Sequence, residues 1–284
     1  MMAEIRQIAV LGAGTMGHGI AHAAIAAGYD TRLFDVSGPA LTRGRSEIEG
    51  IVKKGVELGK VSTSDADGML RRLLATSDLP QALGDADFVI EAAPERIDLK
   101  LQLFAEIERL APAGAIVASN TSALSITEMA ATLSNPARVA GMHFFNPVHK
   151  MKLIEIVQAL ESAPATVDAI AGVSARMGKE TVLVRESPGF ITTRVNASLG
   201  NEAFYMLMEG VASARDIDKA LKLGLNHPMG PFELVDLVGL DTRLSILQYL
   251  HRTMGEKYRP CPLLVQYVHA GRLGRKVGRG VYDY

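Results

Sequence analysis

The chain has 284 residues, a formal net charge of -1, 48% hydrophobic residues and 21% charged residues. This composition is ordinary for a globular protein, and the length is enough for a large core and two domains. The net charge provides no global field that would attract nucleic acid or an anionic membrane, so neither is expected as a partner. Cys261 is the only cysteine, which excludes an internal disulfide and a cysteine-based zinc site and favours a reducing compartment.

No apolar run reaches ~18 residues, the length that would span a membrane. The first predicted strand begins at residue 5, which leaves no room for a signal peptide before it. We therefore expect a cytoplasmic protein without a membrane span.

The first elements predict a dinucleotide-binding unit. An apolar strand over residues 5–11 runs into a glycine-rich turn, followed by a helix over 18–27 and a second strand over 31–34. In a G-x-G-x-x-G turn the first glycine allows the bend, the second admits a pyrophosphate and the third lets helix and strand pack. The helix N-terminus offers free N–H groups to the phosphate. The residues expected to contact the dinucleotide are Gly12, Ala13, Gly14, Thr15, Met16 and Gly17.

Asp35 ends the second strand, 23 residues after Gly12. A carboxylate there accepts hydrogen bonds from the adenosine ribose hydroxyls and repels a 2′-phosphate, so the sequence predicts NAD rather than NADP. Arg32 and Arg43 lie nearby and would weaken that preference. The complete unit is a far more specific signal for dinucleotide binding than the glycine pattern alone, because it combines a strand, the glycines, a helix, a second strand and a terminal acid.

Strands and helices continue to alternate, which predicts an α/β Rossmann-type, doubly wound and mostly parallel sheet. Polar residues follow its buried strands: Glu95 and Lys100 after the strand at 87–92, and Asn120 and Ser122 after the strand at 115–118. Ligands bind at that edge of such a sheet, so all four are candidate binding residues. The alternative for the serine is a helix cap without a ligand.

His143 and Glu155 belong to two predicted strands joined by a turn at Asn146 and Pro147. Such strands can bring an imidazole and a carboxylate within hydrogen-bond reach. A histidine accepts a proton near neutral pH, and a carboxylate on its far nitrogen fixes the tautomer and stabilises the imidazolium. A buried, internally satisfied histidine is the alternative, and the predicted cofactor favours the catalytic interpretation.

The pattern changes at Ser187, which is predicted to cap a helix that has Pro188 in its first position. Only helical segments follow, so we predict two domains: residues 1–186 bind NAD and residues 187–284 form an all-α C-terminal domain. Asn196 lies among apolar residues of its first helix. It either bonds internally to a neighbouring helix or serves as a donor to the substrate.

Two clusters of basic residues have no clear assignment. His18 and His22 lie one helical turn apart, but the sequence offers no third ligand, so no metal site is predicted. Residues 41–74 are predicted to form two helices with an interruption near residues 59–65. In this segment Lys53, Lys54 and Lys60 form a small basic cluster that either faces solvent or meets the phosphates of a large anionic substrate.

Seven segments together resemble the short-chain 3-hydroxyacyl-CoA dehydrogenases, a family that includes the bacterial 3-hydroxybutyryl-CoA dehydrogenases. They run in the family's order from about residue 5 onward: GAGTMGHGIA, EAAPE, SNTSALSIT, HFFNPVHKMKLIEI, SPGFITTRVN, NHPMGPFELVDLVGLD and GRLGRKVGRGVYDY. The resemblance implies reversible NAD-linked oxidation of an (S)-3-hydroxyacyl-CoA to the 3-ketoacyl-CoA. It also implies a homodimer formed largely through the helical domain.

The resemblance assigns roles to single positions. His143 resembles the catalytic base and Glu155 its carboxylate partner, while Ser122 and Asn196 resemble the residues that contact the substrate. Lys54 lies where the family meets coenzyme A, although the basic residues there do not align cleanly. The positions that resemble NAD contacts are Asp35, Glu95, Lys100, Asn146 and Lys276.

Two alternatives stay open at this point. A related dehydrogenase on the same fold would oxidise a sugar acid, as an L-gulonate-type enzyme does, and need no coenzyme A. A non-catalytic NAD-binding protein would keep the fold without the reaction. The simultaneous presence of His143, Glu155, Ser122 and Asn196 argues against the second alternative.

Overall fold

The computed structural model describes residues 4–284, which divide into two compact units. The first unit ends at Glu186 and the second comprises Ser187–Tyr284. Each unit has its own buried apolar cluster.

The first unit is built on an eight-stranded sheet with the order β3-β2-β1-β4-β5-β6-β7-β8. The first six strands are parallel, whereas β7 pairs antiparallel with β6 and parallel with β8. The strands are β1 (Gln7–Leu11), β2 (Asp30–Phe34), β3 (Leu73–Thr76), β4 (Phe88–Glu91), β5 (Ile116–Ser119), β6 (Val139–Phe144), β7 (Leu153–Gln158) and β8 (Glu180–Arg185).

The helices of the first unit cover the sheet, which explains why its central strands are apolar on both faces. Ile8 and Val10 of β1 and Phe88 and Ile90 of β4 are fully buried in its main core cluster. The helices are α1 (Thr15–Ala26), α2 (Gly38–Glu57), α3 (Thr63–Arg71), α4 (Leu79–Leu83), α5 (Ile97–Leu110), α6 (Ile126–Ala130) and α7 (Pro164–Arg176).

The strand order reverses at β1, which has β2 on one side and β4 on the other. The order 3-2-1-4-5-6 is that of dinucleotide-binding doubly wound sheets, and ligands bind in the crevice at the carboxyl ends of the strands beside this reversal. The predicted Rossmann-type sheet is therefore confirmed.

One strand was not predicted. Residues 41–74 were expected to form only two helices, but the second helix ends at Arg71 and Leu73–Thr76 pairs with β2 as the edge strand β3. The strand has only four residues and follows the helix after a single residue, so no periodicity separates it from the helix.

The second unit is helical, which confirms the predicted all-α C-terminal region. Phe204, Phe232 and Leu247 are fully buried in its core. Its helices are α8 (Thr192–Met208), α9 (Ala214–Gly224), α10 (Pro231–Val238), α11 (Leu240–Met254) and α12 (Pro262–His269). Among the helices of residues 4–284, none is both long enough and apolar enough to cross a bilayer.

The predicted start of α8 is wrong. Ser187 was expected to cap the helix, but the helix begins at Thr192. Gly189 and Phe190 have φ angles of 74° and 51°, in the left-handed region, so the chain makes a turn there before the helix starts. A serine before a proline initiates turns as well as helices, and the sequence does not distinguish the two.

Candidate active site

His143 and Glu155 lie directly opposite each other in the antiparallel ladder between β6 and β7. Directly opposed residues project from the same face of the sheet, so the two side chains meet. His143 Nδ1 is 2.7 Å from Glu155 Oε2. The histidine is 5% exposed and the glutamate 0%, so their bond lies in a region of low polarity where it is strong.

Ser122 contacts the other nitrogen of the imidazole. Its Oγ lies 3.1 Å from His143 Nε2. A carboxylate at Nδ1 favours the tautomer with the proton on that nitrogen, which leaves the Nε2 lone pair as the acceptor. The structure therefore brings together three of the predicted catalytic residues, Ser122, His143 and Glu155, in one hydrogen-bonded line.

The segment that carries Ser122 follows β5 and is held at several points. Glu95 Oε1 accepts hydrogen bonds from Thr121 Oγ1 at 2.6 Å and from the Ser122 backbone N–H at 2.9 Å. The side chain of Asn120 is also occupied, because its Oδ1 accepts a 2.8 Å bond from the Phe144 N–H. Asn120 thus fixes the end of β5 to the end of β6, beside His143.

Lys100 is buried, although it was predicted as a cofactor contact. Its side chain is 1% exposed and its Nζ lies 2.5 Å from Glu91 Oε1. A second carboxylate, that of Glu95, is 3.6 Å away and is 42% exposed. Sequence reasoning did not select Glu91. The available signal was an acidic residue at the end of an apolar strand, and such a residue is equally compatible with a solvated strand end.

The glycines at the end of β1 have distinct surroundings. Gly12 has a φ of 111°, and a Cβ there would lie 2.6 Å from the Ala92 carbonyl oxygen. A Cβ on Gly17 would lie 1.7 Å from the Gly12 carbonyl oxygen, so neither position accepts a side chain. A Cβ on Gly14 would meet no atom within 4 Å. The chain therefore packs tightly behind the turn and leaves open space in front of it, as a pyrophosphate requires.

Helix α1 begins at Thr15 with Gly14 as its N-cap, and no side chain caps its first N–H groups. The amides of Thr15, Met16 and Gly17 therefore remain as donors for an anion at the helix N-terminus. The Ala13 N–H is already used, because it donates to Asp35 Oδ2 at 2.8 Å.

Asp35 lines a cavity of about 260 Å³. Its second oxygen accepts a 2.9 Å bond from the Ser37 N–H, so both carboxylate oxygens are fixed by backbone donors. Leu11, Phe34 and Leu103 contribute apolar lining to the cavity. An apolar slot beside an oriented carboxylate suits an adenine ring and its ribose hydroxyls.

A larger cavity of about 1160 Å³ lies among α1, α2, α3 and the segment that follows β6. Lys54, Lys60 and Lys150 line it, as do His22 and His149. Burial, with a smaller contribution from the neighbouring His149, lowers the pKa of His22 to about 4. Burial also lowers the pKa of His149. The cavity combines lysine cations with two histidines that favour their neutral form.

Comparison with known proteins identifies the family. The family model described as "3-hydroxyacyl-CoA dehydrogenase, NAD binding domain" matches residues 7–187, and that for the C-terminal domain matches residues 189–284. The chain belongs to the 3-hydroxyacyl-CoA dehydrogenase family. The predicted resemblance and the predicted NAD cofactor are thereby confirmed.

Named relatives of this family match the whole chain. A probable 3-hydroxybutyryl-CoA dehydrogenase from Bacillus subtilis is 45% identical, covering 99% of this chain and 98% of the relative. A 3-hydroxybutyryl-CoA dehydrogenase from Bradyrhizobium diazoefficiens is also 45% identical, covering 100% and 97%. The crystal structure of an (S)-3-hydroxybutyryl-CoA dehydrogenase from Ralstonia eutropha has a TM-score of 0.94, with 40% identity and 99% of each chain covered.

The remaining positions selected by the resemblance lie outside the hydrogen-bonded line. Asn146 is exposed, two residues beyond β6. Lys54 is exposed on α2 and pairs with Glu57 at 3.1 Å. In the second unit, the Lys276 ammonium lies 2.6 Å from both oxygens of Asp241.

Asn196 lies in α8 and is half-buried. Its side chain forms no hydrogen bond with any residue between 4 and 284. The internal bond that sequence analysis offered as an alternative is therefore not found within the described chain. An amide without an internal partner retains its full capacity to bind a ligand.

Proposed function

We propose that this protein catalyses the reversible NAD-dependent oxidation of an (S)-3-hydroxyacyl-CoA to the 3-ketoacyl-CoA. The line Ser122–His143–Glu155 carries the proposal, because it places a proton acceptor at the carboxyl edge of a dinucleotide-binding sheet. Short acyl chains such as the 3-hydroxybutyryl group are the proposed substrates, since relatives at 45% identity bear that name.

In the proposed reaction His143 is the general base. Its Nε2 takes the proton of the substrate hydroxyl while hydride leaves the carbon that bears this hydroxyl. NAD, when bound, supplies the hydride acceptor. A positioned base of this kind typically contributes ~10²–10⁴-fold in rate. Glu155 holds the ring orientation and stabilises the positive charge that develops on it.

Ser122 is the proposed hydrogen-bond donor to the reacting oxygen. Its hydroxyl lies 3.1 Å from His143 Nε2, so it occupies the position that the substrate hydroxyl would approach. It can donate to the reacting oxygen once substrate is present. Asn196 would hydrogen-bond a substrate oxygen from the helical unit. In the reverse direction the imidazolium returns the proton to the ketone oxygen.

The two units would have different functions. Residues 1–186 would bind NAD through the glycine turn, Asp35, Glu95 and the residues after β5 and β6. Lys100, which is 1% exposed, would act on the cofactor through Glu95. Residues 187–284 would carry Asn196 as a substrate contact and Lys276 as a further cofactor contact, and would form a homodimer. The lysines around the cavity of about 1160 Å³, Lys54 among them, would meet the phosphates of coenzyme A. We place this activity in the cytoplasm.

The decisive experiment follows the loss of NADH absorbance with acetoacetyl-CoA and repeats the assay with NADPH. Rapid loss of NADH and slow loss of NADPH are expected. Activity with a sugar acid but none with acetoacetyl-CoA would establish an L-gulonate-type dehydrogenase instead. A His143→Ala variant should lose turnover and still bind NADH, and unchanged turnover would contradict its role as the base. A wild-type protein that binds NADH and turns over neither substrate would be non-catalytic.

A further inference from the structure

Glu91 is a fully buried carboxylate at the centre of the ligand-binding edge. It is the last residue of β4 and its side chain is 0% exposed. In the sheet it is paired with Leu11 on one side and with Ser119 on the other. It therefore lies between the end of β1, where the glycine turn begins, and the end of β5, where the segment with Ser122 begins.

Both oxygens of Glu91 are occupied. Oε1 accepts a 2.7 Å bond from the Ala93 N–H and lies 2.5 Å from Lys100 Nζ. Oε2 accepts a 2.5 Å bond from Ser119 Oγ. The three donors come from the turn after β4, from helix α5 and from the end of β5. One buried group thus joins three segments that meet at the edge of the sheet.

Two routes lead from Glu91 to the backbone around Ser122. Along the first, Lys100 lies 3.6 Å from Glu95, whose other oxygen accepts a 2.9 Å bond from the Ser122 N–H. Along the second, the Ser119 hydroxyl that donates to Glu91 accepts a 3.2 Å bond from the Thr121 N–H. The segment is held from both sides, and both routes begin at the same carboxylate.

Stability alone is a weak reason for this arrangement. Removing a carboxylate and an ammonium from water costs as much as their attraction returns, so a buried ion pair contributes little net stability. The ion pair instead serves to orient the Lys100 ammonium. The Lys100 ammonium also donates to the Ala93 carbonyl oxygen at 3.2 Å, which fixes it in place and aims its charge toward Glu95.

We propose that Glu91 is a positioning residue for the reaction: through Lys100 and Ser119 it sets the placement of Glu95 and Ser122. This inference rests on the proposed function, because it assigns the serine to the reacting line with His143. Glu91 itself touches neither substrate nor cofactor. It acts by holding groups that do, and displacing such groups by a fraction of a bond length is costly for turnover.

The test compares Glu91→Gln with Asp87→Asn. The glutamine keeps the size of the side chain and one acceptor but removes the charge that fixes Lys100. Asp87 immediately precedes β4, at the opposite end of that strand from Glu91. It accepts hydrogen bonds from the Arg6 and Gln7 backbone N–H groups at 2.8 and 2.9 Å, so it is a structural carboxylate away from the site. Each protein is assayed with NADH and acetoacetyl-CoA, after melting experiments establish that it is folded at the assay temperature.

Glu91→Gln should lower kcat by about 10–100-fold. The KM for acetoacetyl-CoA should change little, since the coenzyme A moiety would bind elsewhere. The kinetic isotope effect with NADH deuterated at the transferred position should rise, because misplacement slows the chemical step. Asp87→Asn should change melting temperature and leave kcat and the isotope effect unaltered. A folded Glu91→Gln protein with wild-type kcat and isotope effect would overturn the proposal.

Two further measurements keep the proposal testable. If Glu91→Gln does not fold, Ser119→Ala removes only the second route and should lower kcat by about tenfold with an increased isotope effect; wild-type kinetics would overturn the inference. If the wild-type protein does not reduce acetoacetyl-CoA, the proposed function has failed. NADH binding then decides, because Glu91→Gln should still weaken it through Lys100 and Glu95, and unchanged binding would contradict Glu91 as a positioning residue.

Discussion

His143 Nδ1 and Glu155 Oε2 are 2.7 Å apart across the antiparallel pair β6–β7. The register places the two residues directly opposite each other, so the contact follows from strand pairing and not from the loop between the strands. A carboxylate in this position both orients the imidazole and carries the charge that balances the imidazolium.

Glu155→Gln should therefore lower kcat by roughly 10²–10⁴-fold. The amide can still bond the ring, but it carries no charge, and with its NH₂ group toward Nδ1 it would select the tautomer that has no acceptor at Nε2. NADH binding should remain close to that of wild type, because Glu155 is not a proposed cofactor contact. Glu180→Gln, an exposed position at the start of the neighbouring strand, is the control. Wild-type kcat in Glu155→Gln would show that the ring needs no charged partner.

Asp35→Asn should reduce discrimination against NADPH. Both oxygens of Asp35 accept backbone N–H bonds, from Ala13 and Ser37, which an amide cannot reproduce in full. The loss of the negative charge also removes repulsion of the 2′-phosphate. Since a hydrogen bond to a charged group is worth ~1.5–3 kcal/mol, the ratio of kcat/KM for NADH to that for NADPH should fall by about 10–100-fold.

The control for this variant is Asp30→Asn, at the other end of β2, where the side chain is exposed. It should leave the ratio unchanged. If Asp35→Asn also keeps the wild-type ratio, cofactor choice depends on other residues, and Arg32 and Arg43 are the nearest candidates.

His22 should make the protein less stable in mild acid. Its pKa is lowered from 6.5 to about 4, mainly by burial and to a smaller extent by the nearby His149, Lys179 and His18. In the unfolded chain the imidazole takes up a proton as the pH falls through ~6.5, whereas the folded site resists protonation until about pH 4. Folding stability is therefore lost between these two values, by an amount on the order of 2–3 kcal/mol.

His22→Gln should remove this loss of folding stability in acid. Urea denaturation between pH 7 and pH 4 should show the variant gaining stability relative to wild type as the pH falls. His269→Gln, at an exposed position, should follow the wild-type curve. Parallel curves for His22→Gln and wild type would show that the imidazole is as easily protonated in the fold as in the unfolded chain.

Arg243→Met should stabilise the helical unit. Arg243 is 1% exposed, and its buried Nε has no hydrogen-bond partner among residues 4–284. Burial lowers its pKa to about 10, which reflects the cost of holding the charge there. A methionine of similar length removes that cost, and the free energy of unfolding should rise by about 1–3 kcal/mol.

Chemical denaturation measures the effect, with Arg252→Met as the control because Arg252 is exposed on the same helix. Arg252→Met should leave the free energy of unfolding almost unchanged. A marked loss of stability in Arg243→Met would contradict this, because it would show that the contacts of the arginine outweigh the cost of burying its charge.

The sequence predicted the contact between His143 and Glu155 because alternation along a strand determines which side chains share a face. It did not single out Glu91, whose partner Ser119 is 28 residues away and joins it only through sheet order. It also missed β3 and the true start of α8. Short edge strands and left-handed turns leave little trace in periodicity, since they depend on neighbours that are distant in the chain.

The ladder from Gly141–Val157 to Phe144–Ile154 fixes the pairing of β6 and β7 independently of residues 145–152, which join the strands. An exchange of residues within the joining segment would therefore change the proposed ligand contacts there, such as Asn146, while the proton acceptor stays where it is. A single insertion within either strand has the opposite effect, since it turns every later side chain to the other face. This strand pair is a template on which ligand preference can be redesigned by grafting loops.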